Sequence, residues 1–406
     1  MTVRVAVTGI GVVAPNGLGL DDYWKAVLAI RSGVQTIDRF DASPYPVRVA
    51  GEVSDFSPTQ HVPGRLIPQT DRVTRFALAA AEWALQDAGV TVRDLGDFDV
   101  GVITANGCGG FEFGQRELQK LWREGPHHVS AYQSFAWFYA VNTGQISLRH
   151  GARGAGSVVV TEQAGGLDAL AAARRRLRAG DLRVAISGGL DAPLSPWGLT
   201  AQIPSGKLSN DPDPARSYLP FDAAAKGYVP GEGGAILVLE ELEAARERGV
   251  PTVYGELAGY AATFDPRPVS GRPSTLPEAI RGALSDATMD LEDIDVVIAD
   301  ASGVPEMDAA EAAAITEVFG PRGVPVAVPK TMTGRMYAGG APLDVVSALM
   351  SVRDGVIPAA ANIADIPAYY DLDVVVERVR EVEVRAALVL ARGHGGFNSA
   401  LVVRAI

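Results

Sequence analysis

Val158-Val159-Val160-Thr161-Glu162-Gln163-Ala164-Gly165-Gly166-Leu167-Asp168-Ala169-Leu170 is the stretch that decides the fold. The β-branched run predicts an apolar strand, and the Ala-Gly-Gly opening followed by leucines and alanines predicts a helix. So sharp a strand-to-helix turn projects its residue at the helix N-terminus with little steric cover. Many enzymes place a nucleophile there, because the helix dipole and free N–H groups stabilise a thiolate or an oxyanion. Here the residue is Gln163.

A primary amide has no acid or base behaviour near neutral pH and cannot form an acyl-enzyme as cysteine or serine does. It does donate and accept hydrogen bonds. Two readings of Gln163 stay open: a plug that satisfies nearby backbone groups, or a donor to a thioester carbonyl or to the enolate left when malonyl loses carbon dioxide.

On either side of the turn, apolar β-rich runs alternate with alanine-rich helical stretches, the pattern of an α/β protein with buried sheets. Strands are predicted at 3–10, 100–104, 157–160, 184–187 and 234–239, with a loop from Gly11 to Gly17 and a helix from Thr74 that a left-handed Gly89 should close. After Pro251 the alternation starts again, with strands at 253–259 and 296–299 and helices at 277–287 and 308–319. The chain finishes with runs at 386–390 and 399–403, joined by Arg392-Gly393-His394-Gly395-Gly396-Phe397-Asn398, a glycine-rich hairpin. This reads as a duplicated architecture, with a first half over 1–252 and a second over 253–406.

Bulk properties narrow the function. A chain of 406 residues, 47% hydrophobic and 21% charged, suits two intimately packed halves and neither disorder nor a fibre. No run of uncharged apolar residues is long enough to span a membrane, and Met1-Thr2-Val3-Arg4-Val5 runs straight into a strand pattern, so the expectation is a cytosolic protein with no membrane role. The formal charge of −12 argues against nucleic acid. Arg174-Arg175-Arg176-Leu177-Arg178 could offer a local basic patch to an acidic partner, but reads more simply as a solvated helix face. The one cysteine, Cys108, and scattered histidines offer no thiolate or imidazole metal cluster. Cys108 follows a strand but lacks the sharp turn, and is read as a small packing residue. Gly9-Ile10-Gly11 lacks the third glycine of a dinucleotide loop, so no nucleotide cofactor is expected.

Together the strand-turn-helix stretch, Val5-Ala6-Val7-Thr8-Gly9-Ile10-Gly11-Val12-Val13, Pro220-Phe221-Asp222 and the C-terminal hairpin resemble the β-ketoacyl synthase family of the thiolase superfamily over essentially the whole chain. The resemblance implies a thiolase fold, with duplicated βαβαβαββ halves forming a five-layered α-β-α-β-α body. Active members carry cysteine where Gln163 stands, and two histidines that handle the malonyl extender. In Ile298-Ala299-Asp300-Ala301-Ser302-Gly303-Val304-Pro305, an ungapped reading puts Asp300 at the first histidine, or Ser302 if the loop has shifted. In Lys330-Thr331-Met332-Thr333-Gly334-Arg335, the lysine is kept and Arg335 replaces the second histidine. Lys330 is expected to pair with Asp300, Asp308 or Glu311.

These three losses match the subfamily called chain length factor, or ketosynthase β, of bacterial type II polyketide synthases. The resemblance implies a heterodimer with a cysteine-bearing ketosynthase α subunit, an acyl carrier protein whose phosphopantetheine arm tethers the substrate, no other bound cofactor, and an aromatic polyketide product. It also implies that residues near the subunit interface line a tunnel and limit chain length. Phe111, Gly114, Leu118 and Leu121 lie on one helix face by spacing, and a second aromatic cluster runs from Tyr132 to Tyr139. Mapped by position, Phe111, Gly114, Leu118 and Phe135 would form the gate, and the small Gly114 points to a roomy tunnel. The competing readings are a stand-alone malonyl-carrier-protein decarboxylase or acyltransferase, and a binding module that only stabilises a partner.

Overall fold

The computed structural model describes residues 3–406, apart from the side chain of Pro268. The first half runs β1 (Val5–Ala14), α1 (Arg72–Ala88), β2 (Val100–Ala105), α2 (Phe111–Glu124), α3 (Val141–His150), β3 (Gly156–Val159), α4 (Gly165–Arg178), β4 (Val184–Asp191), α5 (Pro196–Gln202) and β5 (Gly233–Glu241). With α2, α5, the helix Leu20–Leu28 and the shorter pieces set aside as insertions, this is βαβαβαββ. The second half repeats it, apart from the short strands Val356–Ile357, Asp373–Val374 and Arg380–Glu381 before its last hairpin: β6 (Gly255–Phe264), α6 (Leu276–Ala287), β7 (Val296–Ile298), α7 (Pro305–Phe319), β8 (Pro325–Ala327), α8 (Gly340–Asp354), β9 (Ala386–Gly393) and β10 (Phe397–Arg404).

Strand order repeats as well: β3-β2-β4-β5-β1 in one half, β8-β7-β9-β10-β6 in the other. The same neighbours are parallel in both, β2 with β3 and β4, and β7 with β8 and β9. The sheets join edge to edge where β1 meets β6, through Ala6 opposite Glu256 and Val7 opposite Gly255.

Strand alternation sorts the apolar side chains into three interlayer cores. Val102, Ile186 and Val238 face α1 and α3. Ile103, Leu237 and Leu239 face inward onto Leu167 and Leu170 of α4 and Val345 and Leu349 of α8, with Val389 and Leu401 of the second sheet closing the other side. Leu388, Leu390 and Val402 face Ile280 of α6 and Ile315 of α7. Two sheets alternating with three helical layers give the expected five-layered body.

Several boundaries differ from the sequence reading. β1 does not stop before Gly11 but continues to Ala14, because Gly9 and Gly11 are strand residues over which α1 lies in contact. A Cβ on them would sit 2.1 Å from the Ala84 carbonyl oxygen and 1.9 Å from that of Ala80. Gly259 of β6 repeats the device against Ala283 of α6, at 2.1 Å. Helix α8 gave no signal, since Gly340 to Ser351 are buried on every side and no polar face breaks the run. Helix α1 starts where Asp71 caps Val73 N–H at 2.9 Å and ends at Gly89 with φ 62°, as expected.

The arginine run on α4 is not a solvated face. Arg174 is buried, with Nη1 on Asp286 at 2.6 Å and Nη2 donating to the Ala258 carbonyl, and Arg178 reaches the Val3 carbonyl at 3.1 Å. Only Arg175 and Arg176 face solvent, so the run ties the central layer to the second half.

Gly11→Val forces overpacking against α1 and should cost about 1–3 kcal/mol or more, seen as a lowered unfolding temperature. Gly144→Ala in α3, where a Cβ meets nothing within 4 Å, should leave that temperature unchanged or raised.

Candidate functional site

The turn between β3 and α4 is a short 3-10 stretch, Glu162–Ala164, and its first residue sits at φ +53°, where a side-chain-bearing residue is strained. The strain turns Gln163 inward, where it is buried. Its partner is the peptide of Tyr337, itself at φ +46°. With the amide oriented as its surroundings require, Nε2 donates to the Tyr337 carbonyl at 2.9 Å and Oε1 accepts from Tyr337 N–H at 3.1 Å. The amide supplies the donor and the acceptor from two separate atoms, one for each of the two Tyr337 groups.

Asp300 and Arg335, which the resemblance aligns with the two missing histidines, bind each other. Arg335 Nη1 lies 2.7 Å from Asp300 Oδ2 and both side chains are buried. Arg335 also donates to the carbonyls of Asp300 at 3.2 Å and Arg392 at 3.1 Å, and Arg392 N–H donates to Asp300 Oδ1 at 3.0 Å. Burial alone would raise Asp300, but Arg335 and then Lys330 hold it below the usual carboxylate range. Burial would likewise lower Arg335, and Asp300 more than reverses that. Ser302 does not join this pair but donates to Asp308 at 2.9 Å.

Lys330 pairs with none of Asp300, Asp308 and Glu311 through their carboxylates. It donates to the carbonyls of Ala299 at 2.7 Å and Asp300 at 2.8 Å, and its charge faces Asp344 Oδ2 at 2.8 Å. That last contact lies off the axis of a good hydrogen bond, so its attraction is chiefly coulombic. Burial still pushes Asp344 up to about 6 against the pull of Lys330. Glu311 accepts from the N–H groups of Asp300 at 2.7 Å and Ala301 at 2.8 Å, and is pushed up to about 7 by burial and then by Asp300.

Beside these pairs lies a cavity of about 270 Å³, lined by Glu162, Lys207, Ser302, Arg335, Arg392 and His394 among others. Gln163 does not line it. The His394 N–H, a group able to receive an acyl oxygen, already donates to the Glu162 carboxylate. Cys108 is buried and donates its thiol to Asp191 at 3.0 Å; burial and then the Asp191 charge push that thiol well up, away from thiolate chemistry. Among the described residues no three His, Cys, Asp or Glu side chains gather as a metal site, and no helix is long and apolar enough to cross a membrane.

The predicted gate residues do gather near one surface. Phe111, Gly114 and Leu118 lie on α2, and Phe135 lies in the short helix Gln133–Ala136 that α2 packs against. Gly114 does not open free space, however. A Cβ there would lie 2.9 Å from the ring of Trp197 at the start of α5, and that ring stacks on Phe111 with centroids 5.1 Å apart. Trp197, Tyr337, Asp344 and Glu162 are site residues that sequence reasoning did not assign.

Family models for the Beta-ketoacyl synthase N-terminal domain and C-terminal domain match residues 2–245 and 254–364. The chain belongs to the beta-ketoacyl synthase family. Within it, the chain is 62% identical to the tetracenomycin polyketide synthase ketoacyl synthase beta subunit of Streptomyces glaucescens, over 98% of each chain. This beta-ketoacyl synthase family member also superposes on the ishigamide ketosynthase/chain length factor with a TM-score of 0.90 at 30% identity, covering 100% of both chains. A type II polyketide synthase acyl-carrier protein in complex with its ketosynthase bound to the hexaketide matches with a TM-score of 0.89 at 26% identity, again over 100% of both.

Two outcomes follow from the buried charges. Removing one partner, as in Asp300→Ala or Arg335→Met, should cost about 3–5 kcal/mol of unfolding free energy, while the double variant Asp300→Leu/Arg335→Met recovers much of it. Glu311 has a raised folded value, so its stabilisation is complete below its ordinary value of 4.5 and is lost as pH rises through about 7. Denaturant titrations between about pH 5 and pH 8 should therefore show a shallower loss of stability for Glu311→Gln than for the parent.

Proposed function

We propose that this chain is the non-condensing subunit of a two-subunit polyketide ketosynthase, a chain length factor. It pairs with a cysteine-bearing ketosynthase α subunit, shapes the tunnel between them and so sets polyketide length. The observation that carries the reading is the state of the turn: Gln163 spends its amide on the Tyr337 peptide, and an ion pair joins the two positions that the resemblance aligns with the histidines. Neither an acyl-enzyme nor imidazole-assisted decarboxylation can be built from these groups.

Surface chemistry supports a partner. Trp122, Tyr132, Trp137, Phe138 and Tyr139 are exposed close to α2, and β3 is an edge strand bonded on one side by β2. Free strand edges and clustered exposed rings are features a folded chain covers by association. The substrate would arrive on the phosphopantetheine arm of an acyl carrier protein, by analogy with the carrier-protein complex named above. The halves 1–252 and 253–406 act as one body in a cytosolic, aromatic polyketide pathway.

A catalytic part for Gln163 in malonyl decarboxylation is the second reading. In its favour, pairing with Tyr337 leaves one amide N–H unused. Against it stand the absence of Gln163 from the cavity wall and the Glu162 carboxylate already on His394 N–H.

Carbon dioxide release from malonyl-carrier protein separates them. The purified chain alone should release none above background, and the complex should release it; release by the chain alone that Gln163→Ala abolishes would establish the second reading. For the tunnel, Trp197→Ala empties the notch beside Gly114 and should lengthen or broaden the products of the complex, measured by mass. An unchanged distribution from a well-assembled complex discards this notch as part of the tunnel.

A further inference from the structure

Asp191 ends β4 fully buried, yet it neither lines the cavity nor touches the Asp300–Arg335 pair. Its carboxylate gathers donors from two separate segments. Gly107 N–H lies 2.8 and 3.0 Å from its two oxygens, Cys108 N–H 2.9 Å and the Cys108 thiol 3.0 Å from Oδ1, and Ala338 N–H 2.9 Å from Oδ2. The first three belong to the turn that leads into α2. The last is next in chain to Tyr337, whose peptide Gln163 grips.

The order continues beyond that turn. Asn106 donates to the Leu190 carbonyl at 3.0 Å and accepts from Gly109 N–H at 2.6 Å. Gly110 N–H then donates to the Trp137 carbonyl at 3.0 Å, immediately before α2 begins at Phe111. Gly109 sits at φ +65°, and a Cβ on it would lie 2.4 Å from the same Trp137 carbonyl. A hydrogen-bonded track therefore runs from Gln163 through Tyr337, Ala338 and Asp191 to the base of α2 and the exposed aromatic segment.

We infer that Asp191 is a positioning residue for chain-length control, fixing where α2 and Trp137 stand relative to the glutamine turn while touching no substrate. The inference rests on the tunnel reading above. Its chemistry is specific: a carboxylate only accepts, so it can meet all these converging donors at once, whereas an isosteric amide turns its NH2 toward an N–H. Asp191→Asn keeps the shape and sets donor against donor, so one of the two segments must move. On this account the Gln163 amide anchors the far end of the track through the Tyr337 peptide.

The test uses the complete complex with its cysteine-bearing partner, supplied with malonyl-carrier protein. The readout is the mass-spectrometric ratio of the longest polyketide to its shortened relatives. That ratio does not depend on how much complex is active, so simple loss of stability lowers output and leaves it unmoved. Asp191→Asn should change the ratio at least about fivefold, the scale of one lost buried hydrogen bond. An unchanged ratio from an assembled complex overturns the inference. If Asp191→Asn fails to assemble, Gln163→Met decides from the other end of the track: a shifted ratio supports the relay and an unmoved one overturns it. A parent complex that makes no polyketide refutes the proposed function itself, whereas a productive parent with unmoved variants refutes the relay alone.

Discussion

Everything in this fold is referred to the place where the first turn of α4 touches the chain entering α8. A Cβ on Gly166 would lie 2.2 Å from Pro342 Cδ, and one on Gly189 would lie 2.5 Å from the Ala338 carbonyl oxygen. Approaches that close leave no room for a side chain on Gly166 of α4 or on Gly189 of β4, so the chain at the start of α8 can lie against both only where glycine permits it. That contact brings Gln163, from the first half, against the Tyr337 peptide of the second. It also sets the Asp300–Arg335 pair beside the same turn, within the layer that both sheets cover.

The consequence is a site most of whose polar groups are engaged with one another, Asp344 Oδ2 and one Gln163 N–H excepted. In a condensing site of this architecture, donors and bases must stay free for substrate. Here the amide is paired with a peptide, the two ionic positions neutralise each other, the lysine faces Asp344, and Glu162 holds the His394 N–H. Buried ion pairs are weak sources of net stability, because desolvation offsets most of the attraction. What the pair supplies is occupancy: Asp300 and Arg335 neutralise each other at the two positions that the resemblance aligns with histidines.

Much of this was legible in the sequence, for identifiable reasons. Strands and amphipathic helices betrayed themselves by period, which is why α1, α6 and the C-terminal hairpin were readable to within a few residues. Gln163 stood out because it sits in a sharp turn just before Ala-Gly-Gly, whereas Asp300 and Arg335 were singled out only through the family resemblance, which aligns them with two histidines. α8 was silent because a helix buried on all sides has no amphipathic period, and with it went Asp344, the true partner of Lys330. Arg174 was misread because charge runs are usually solvated, and nothing local reveals an Asp286 that lies 112 positions away. Asp191 did leave one trace, a lone carboxylate closing an apolar strand, and Trp197 left none, since a single ring after Pro196 gives no hint that it fills the notch of Gly114.

The account stands or falls on which subunit carries the growing chain. Intact-protein mass spectrometry of the complex, after loading from an acyl-carrier protein, reads this directly. The expected result is an acyl adduct on the cysteine-bearing partner and an unmodified mass for this chain. An adduct on this chain, at Cys108 or anywhere else, would contradict it.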